Sequence, residues 1–173
     1  MTILKQPSDQ IILAQLNKDN AVNLTMAQVR FGTPDQVLNP VNGDTNLPIL
    51  AKPGGGYVGS VLANYNRLNL DTLFRFKVLL TVADLSGVDA VIAAFNERYG
   101  LGLDPSEIVN NPIDPDNLDQ DGNIIYTIVT NKSRVYEGQV TVAIIGIPAG
   151  AIMTEDDFAL ITEDGKYLVV EGS

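Results

Sequence analysis

The sequence contains no cysteine, no histidine and no tryptophan. Without cysteine there are no disulfides, no thiolate metal sites and no thiol nucleophile. Without histidine the commonest general base and metal ligand near neutral pH is missing, so zinc, haem and hydrolase-triad readings lose most of their ground. Positive charge is scarce: 11 Lys and Arg stand against 21 Asp and Glu, a formal net charge of −10. Such a surface repels phosphate backbones and predicts no nucleic-acid partner. Long apolar runs are missing too. The longest, Val140 to Ile147, is of strand length, well short of the ~20 residues that span a bilayer. The start, Met1-Thr2-Ile3-Leu4-Lys5-Gln6-Pro7, lacks the apolar run of a secretory signal. The expectation is a chain with no membrane partner, made and kept in a cytoplasm unless it leaves inside a larger assembly.

What is present is a self-similarity at one fixed spacing, the first thing to seek in any sequence. Asn17 and Asn96 lie 79 residues apart, and so do Ala14 and Ala93, Leu24 and Leu103, and Asp35 and Asp114. The same offset relates Gly43 to Gly122, Ile49 to Ile128, Tyr57 to Tyr136, Gly59 to Gly138 and Val61 to Val140. Conservative pairs join them: Leu13 with Ile92, Leu16 with Phe95, Val22 with Leu101, Val29 with Ile108. Thr25 and Asp104, both able to cap a helix N-terminus, also correspond. The 173 residues, 45% hydrophobic and 18% charged, suffice for two small units sharing a core.

Each copy shows the same plan. Ser8-Asp9 offers a cap, and apolar residues at helical spacing predict a helix to about Asn20. Asn23-Leu24-Thr25 caps a single turn, turn formers follow, and Leu47 to Ala51 and Tyr57 to Tyr65 form strands around Pro53-Gly54-Gly55-Gly56. In the second copy Val88 to Tyr99 is the helix and Gly100 its stop. Asp104-Pro105-Ser106-Glu107 resembles a capping box. Ile124 to Thr130 and Val135 to Ile147 are the strands. Between the copies, Leu68 to Ala83 reads as a helical turn followed by a buried strand or helix, which periodicity does not separate. Phe158 to Thr162 and Lys166 to Val170, around Glu163-Asp164-Gly165, predict a terminal hairpin. The predicted fold class is α+β: two tandem copies of a small helix-plus-antiparallel-hairpin module (1–83 and 84–155) and a C-terminal β-hairpin (156–173).

Few motifs carry chemistry. Asn117-Leu118-Asp119-Gln120-Asp121-Gly122-Asn123-Ile124 matches the start of a calcium loop, with oxygens at alternate positions and a glycine for the turn. It opens on Asn117, puts Ile128 where the bidentate glutamate belongs, leads into a strand, and the matched stretch Leu38 to Asp44 has no comparable carboxylates. An acidic hairpin approach is the stronger reading. Pro53-Gly54-Gly55-Gly56-Tyr57 lacks the Lys-Ser/Thr of a phosphate loop and reads as a tight turn. Asp114-Asp116 and Asp156-Asp157 are paired acids without a locatable pocket. Asn23-Leu24-Thr25 and Asn131-Lys132-Ser133 fit the glycosylation pattern but read as a cap and a turn. Tyr57, Tyr65, Tyr99, Tyr126 and Tyr136 can anchor a partner surface. No catalytic, cofactor or metal residue is assigned.

One resemblance adds to this. Ile12-Leu13-Ala14-Gln15-Leu16-Asn17, Asn23-Leu24-Thr25, Gln28-Val29-Arg30-Phe31-Gly32, Gly56-Tyr57-Val58-Gly59-Ser60-Val61 and Tyr65-Asn66-Arg67-Leu68-Asn69-Leu70 together resemble a module of virion structural proteins of large tailed bacteriophages. The likeness covers most of residues 8–70. The second copy departs from it, with Ile144-Ile145-Gly146-Ile147 in place of the Tyr-Asn-Arg-Leu ending. The resemblance implies a non-enzymatic virion structural protein, such as a capsid decoration, neck or tail component. It implies a homo-oligomer contacting other virion proteins, located in the virion after synthesis in the host bacterial cytoplasm, with no cofactor. Two alternatives stay open: a carboxylate-based envelope glycan hydrolase, with two acids roughly 5–9.5 Å apart in a cleft, and a calcium-dependent binding module.

Overall fold

A computed structural model describes residues 4–37, 43–82, 85 and 87–146, together with Ile152, Leu160, Thr162 and Leu168. The fold is α+β, with few helices and several sheets. In chain order the elements are α1 (Ser8–Asn20), β1 (Val29–Phe31), β2 (Asp35–Gln36), β3 (Thr45–Ala51), β4 (Ser60–Tyr65), β5 (Leu68–Asn69), α2 (Leu70–Leu73), β6 (Val78–Val82), α3 (Val88–Tyr99), β7 (Ile124–Val129), β8 (Tyr136–Glu137) and β9 (Gln139–Gly146). A single 3-10 turn, Pro105–Glu107, follows α3.

Both long helices end in the same way. The chain turns left-handed at Ala21 after α1 and at Gly100 after α3, and the N–H of each turns back to the carbonyl of Asn17 or Asn96. The Asn17 side chain then closes a two-bond ring with the backbone of Leu24, each bond 2.8 Å. Asn96 makes the same ring with Leu103, at 2.8 and 2.9 Å. An amide that donates and accepts at once fixes the direction of the chain leaving a helix.

The strands correspond equally. In the first sheet β3 is flanked by β1, β2 and β4, all antiparallel to it. Thr45 faces Tyr65 and Leu50 faces Ser60. In the sheet of the second half, Ile124 faces Ile144 and Val129 faces Gln139, the same register 79 residues on. The pairing of Val29 with Ala51 has its counterpart in the bridge between Ile108 and Thr130. Both hairpins need a glycine at positive φ, Gly59 (86°) and Gly138 (76°), where a Cβ would clash with the chain's own carbonyl.

The segment between the halves resolves the strand-or-helix question: Val78–Val82 is a strand, buried at Val78, Leu80 and Val82. It pairs in parallel with β9, Val78 beside Val142. The short β5 pairs in parallel with β8, Leu68 beside Tyr136. The stretch from Leu68 to Val82, which the predicted boundary numbers with the first copy, therefore lies on the second half.

The two cores are unequal. The main cluster gathers Leu70, Val78, Leu80, Phe95, Ile128, Tyr136, Val142 and Ile144, and takes in Ile11 from α1. Phe74 closes it, with its ring centroid 5.0 Å from Phe95 and 4.9 Å from Tyr99. The cluster of the first half is built on Leu13, Val29 and Ile49. α1 serves both, with Ile11 in one and Leu13 in the other. A polar clasp joins the same parts. Glu107 Oε2 accepts from the hydroxyls of Ser8 and Ser133, both at 2.6 Å, and Arg134 lies 3.3 Å from Oε1. Arg134 also pairs with Asp9 at 2.8 Å and donates to the Gly32 carbonyl at 3.2 Å.

Three sequence expectations are corrected here. Pro7 precedes the first helical residue, and Ser8 sits inside the first turn with its hydroxyl on Glu107 instead of on a free N–H. Asp104 does cap, accepting from the N–H and hydroxyl of Ser106, but Glu107 does not reach back to complete a capping box, because its carboxylate is held in the clasp. The predicted strand Tyr57 to Tyr65 begins only at Ser60. The terminal hairpin, 156–173, falls on residues outside the described ones. Of its members Leu160, Thr162 and Leu168 are described, with the Leu168 N–H donating to the Leu160 carbonyl at 2.8 Å.

Candidate functional site

The acidic loop is tied up internally. The Asp119 carboxylate accepts from Lys77, which also stands 3.6 Å from Asp121. Asp119 also accepts from the N–H groups of Asp121 and Asn123, at 2.8 and 2.9 Å. The Lys77 hydrogen bond, supported by those N–H groups and opposed by desolvation, holds the Asp119 carboxyl well below the usual carboxylate range. Asp119 raises Lys77 in turn, chiefly through the same bond. Among the described residues no group of three or more acids stands where it can hold a metal ion. Asp114 accepts from the N–H of Asp116 as part of a turn, and Asp156-Asp157 lie outside the described residues.

A shallow depression beside Lys5 brings Glu97 and Asp104 to one rim, but Asp104 is the cap of Ser106. The Gly54-Gly55-Gly56 stretch is a turn; Gly55 passes so close to Gln28 that a side chain does not fit there. Of the tyrosines, Tyr65 donates to the Arg134 carbonyl at 2.6 Å and Tyr126 to that of Asn111 at 3.2 Å. Tyr136 is fully buried, whereas Tyr57, its counterpart by offset, is 51% exposed.

That contrast locates the most distinctive surface of the molecule. An open groove of about 350 Å³ runs along the first half, lined by Leu16, Val22, Leu24, Tyr57, Val58 and Val61 among others. Its lining contains no acid and no base. Of the residues at the matching positions of the second half, Phe95, Leu101, Leu103, Tyr136 and Val140 are buried, while Glu137, the counterpart of Val58, is half-buried and paired with Arg67. The chain from Leu68 to Val82 covers three of them: Phe74 lies on Phe95, β5 runs beside Tyr136, and β6 runs beside β9, the strand of Val140; residues 4–6 pass over Gly102, between Leu101 and Leu103. On the first half nothing among the described residues lies in that place. Val58 is 98% exposed, and Val61 is 59% exposed where Val140 is 3%. The outer edge of β4 pairs with no described strand.

The two hairpin glycines show the same difference. A Cβ on Gly138 would collide with the Asp71 carboxylate, which accepts from the Gln139 N–H at 3.0 Å; a Cβ on Gly59 would meet nothing within 4 Å. The groove offers apolar contact, and an unpaired strand edge beside it offers ready hydrogen bonds. The arrangement has the chemistry of an interface: apolar contact plus main-chain pairing. The sequence carried one signal for it, the adjacent apolar pair Val61-Leu62, which places apolar side chains on both faces of one strand.

Among the described residues no helix is long and apolar enough to cross a membrane. No curated protein and no solved structure matches the chain. Residues 1–156 match one family, and by that match the chain belongs to a family of unknown function, DUF7941.

Proposed function

We propose that this chain is a non-enzymatic structural protein of a tailed-bacteriophage virion, built from two tandem copies of one α+β module and assembling through protein–protein contacts. A capsid decoration, neck or tail component is the role in view. The reading of tandem copies rests on matched detail at one spacing: the Asn17–Leu24 and Asn96–Leu103 rings, the left-handed residues after α1 and α3, and the common hairpin register. The virion reading rests on the resemblance of residues 8–70 to the phage module. The C-terminal hairpin belongs to the same proposal, with its turn at Glu163-Asp164-Gly165.

The single observation that carries assembly is the apolar groove beside β4, whose lining offers partners surface and hydrogen bonds but no acid–base chemistry. The partners are further copies of the chain and other virion proteins. The experiment is to purify infectious particles and locate the chain. Stoichiometric presence by quantitative mass spectrometry, with density for both halves at a symmetric position in an electron-microscopy map, is the expected result. Its consistent absence from intact particles would overturn the reading.

A further inference from the structure

We infer that the groove of the first half is filled by residues 147–162 of a second copy, so that chains join head to tail. The inference rests on the reading of the two halves as equivalent and assembling, and the structure carries it through the segment 68–82.

In the second half the face formed by α3, β8 and β9 is covered by chain that has just left β4. That chain supplies β5 beside β8, then Phe74 against Phe95 and Tyr99, then β6 as a parallel neighbour of β9. The first half has the corresponding face, built from α1, Tyr57-Val58 and β4, and it lies open. The chain leaving β9 stands to β9 as 68–82 stands to β4. It is therefore the segment available to cover the next such face, and that face belongs to another molecule.

The sequence of the tail suits the place. Met153 falls at the offset of Phe74, an adaptable apolar group that can lie on Leu16. Phe158, Leu160 and Thr162 repeat the alternation of Val78, Leu80 and Val82 one residue beyond the offset. Ile152 and Leu160 hydrogen-bond to one another and to Leu168 through their backbones, yet each keeps about two-fifths of its surface exposed. The tail brings no carboxylate to the place of Asp71, where it has Gly150, so docking draws on the ladder and on apolar contact.

Charge sets the direction. On the second half Lys77 of the covering segment meets Asp119 and Asp121. At the offset of Lys77 the tail sequence has Asp156, and at the offsets of Asp119 and Asp121 the sequence of the first half has Pro40 and Asn42. A tail bearing Asp156-Asp157 would be repelled by the acidic loop of the second half, whereas the lining of the groove itself holds no acid and Asp19 stands in the depression beside it, between α1 and β4.

The chain before α1 is not a competitor for the groove over its described part. Leu4 packs on the main cluster, its carbonyl accepts from the Tyr136 hydroxyl at 3.4 Å, and Gln6 passes over Gly102, where a Cβ would collide with it.

Absence of native cysteine makes a direct test possible. Ala63 is the counterpart of Val142, the partner of Val78, and Phe158 is the tail residue in the place of Val78. The full chain carrying Ala63→Cys and Phe158→Cys, with Asn64→Cys and Phe158→Cys as the register alternative, is oxidised and run without reductant. A ladder or closed ring of covalent oligomers in either variant is the expected result. A covalent monomer, meaning that the tail folds back on its own first half, or no cross-link in either variant, overturns the inference. A second measurement removes dependence on the cysteines. Val61→Asp and Leu160→Asp each reduce the native mass to that of the monomer in light scattering. Their equimolar mixture forms a 1:1 dimer, because one contributes an intact tail and the other an intact groove. A monomeric wild type at all concentrations, or a mixture that stays monomeric, overturns it as well. Neither result depends on whether the chain is found in a virion.

Discussion

Ser8 donates its hydroxyl hydrogen to Oε2 of Glu107 at 2.6 Å across 99 positions of sequence, fastening the first turn of α1 to the 3-10 turn of the second half. Both residues are buried, and Ser133 donates to the same oxygen. Glu107→Ala leaves two buried hydroxyls without an acceptor and Arg134 without one of its carboxylates. The expected cost is about 2–4 kcal/mol in urea unfolding. Ser8→Ala, which removes one donor and leaves the other, costs about 1 kcal/mol. Equal costs for the two changes would mean that the clasp does not act as a unit.

Val61 and Val140 stand at matching positions of two hairpins that share one register, one exposed and one buried. Val61→Asp therefore changes the stability of the monomer by no more than about 0.5 kcal/mol. Val140→Asp buries an unpaired charge and unfolds the second half. Circular dichroism melts of the two variants at low protein concentration check this.

Ala21 holds a left-handed conformation (φ 50°) where the second half has Gly100 (φ 66°). A Cβ is unfavourable there by roughly 1–2 kcal/mol, partly offset by the greater backbone freedom of glycine in the unfolded chain. Ala21→Gly should raise stability by about 0.5–1 kcal/mol, and Gly100→Ala should lower it by a similar amount. Chemical denaturation of both variants gives the two signs directly.

Burial pushes the Tyr65 hydroxyl up to about 12, against the opposing pull of Arg67 and Arg134. Burial also raises Tyr126 and Tyr136. A group that keeps its proton longer when folded contributes stability that is complete below the unfolded value of 10.0 and is lost as pH rises toward about 12. Stability should therefore fall across that window. Tyr65→Phe should flatten the fall, and a tyrosinate absorbance titration of the same variant should lose a late-ionising component.

Much of the local structure was legible because local chemistry determines it. The offset of 79 matched Asn17 with Asn96, and the two helices end at Asn20 and Tyr99 as their stop signals indicated. The strand between the halves was ambiguous because Val78, Leu79, Leu80 and Val82 form an apolar run broken only by Thr81, and its partner β9 is distant in sequence. Ser8 and Glu107 were misread as caps because their actual partner is each other, far along the chain. Asp119 resembled a cation ligand until Lys77 was placed beside it. The groove was the least legible feature, since the exposure of Val61 depends on which neighbour covers it and not on Val61 itself.

The parallel pairing of β6 with β9 also bears on synthesis. Val78 leaves the ribosome 64 residues ahead of Val142, its partner. At elongation rates of ~5–20 residues per second the interval is roughly 3–13 s. Throughout that time the nascent chain carries a finished hairpin with a free β4 edge and, a few residues on, an apolar strand still lacking its own edge. The order of translation therefore leaves two strand edges unpaired together, and only the arrival of β9 gives β6 its partner.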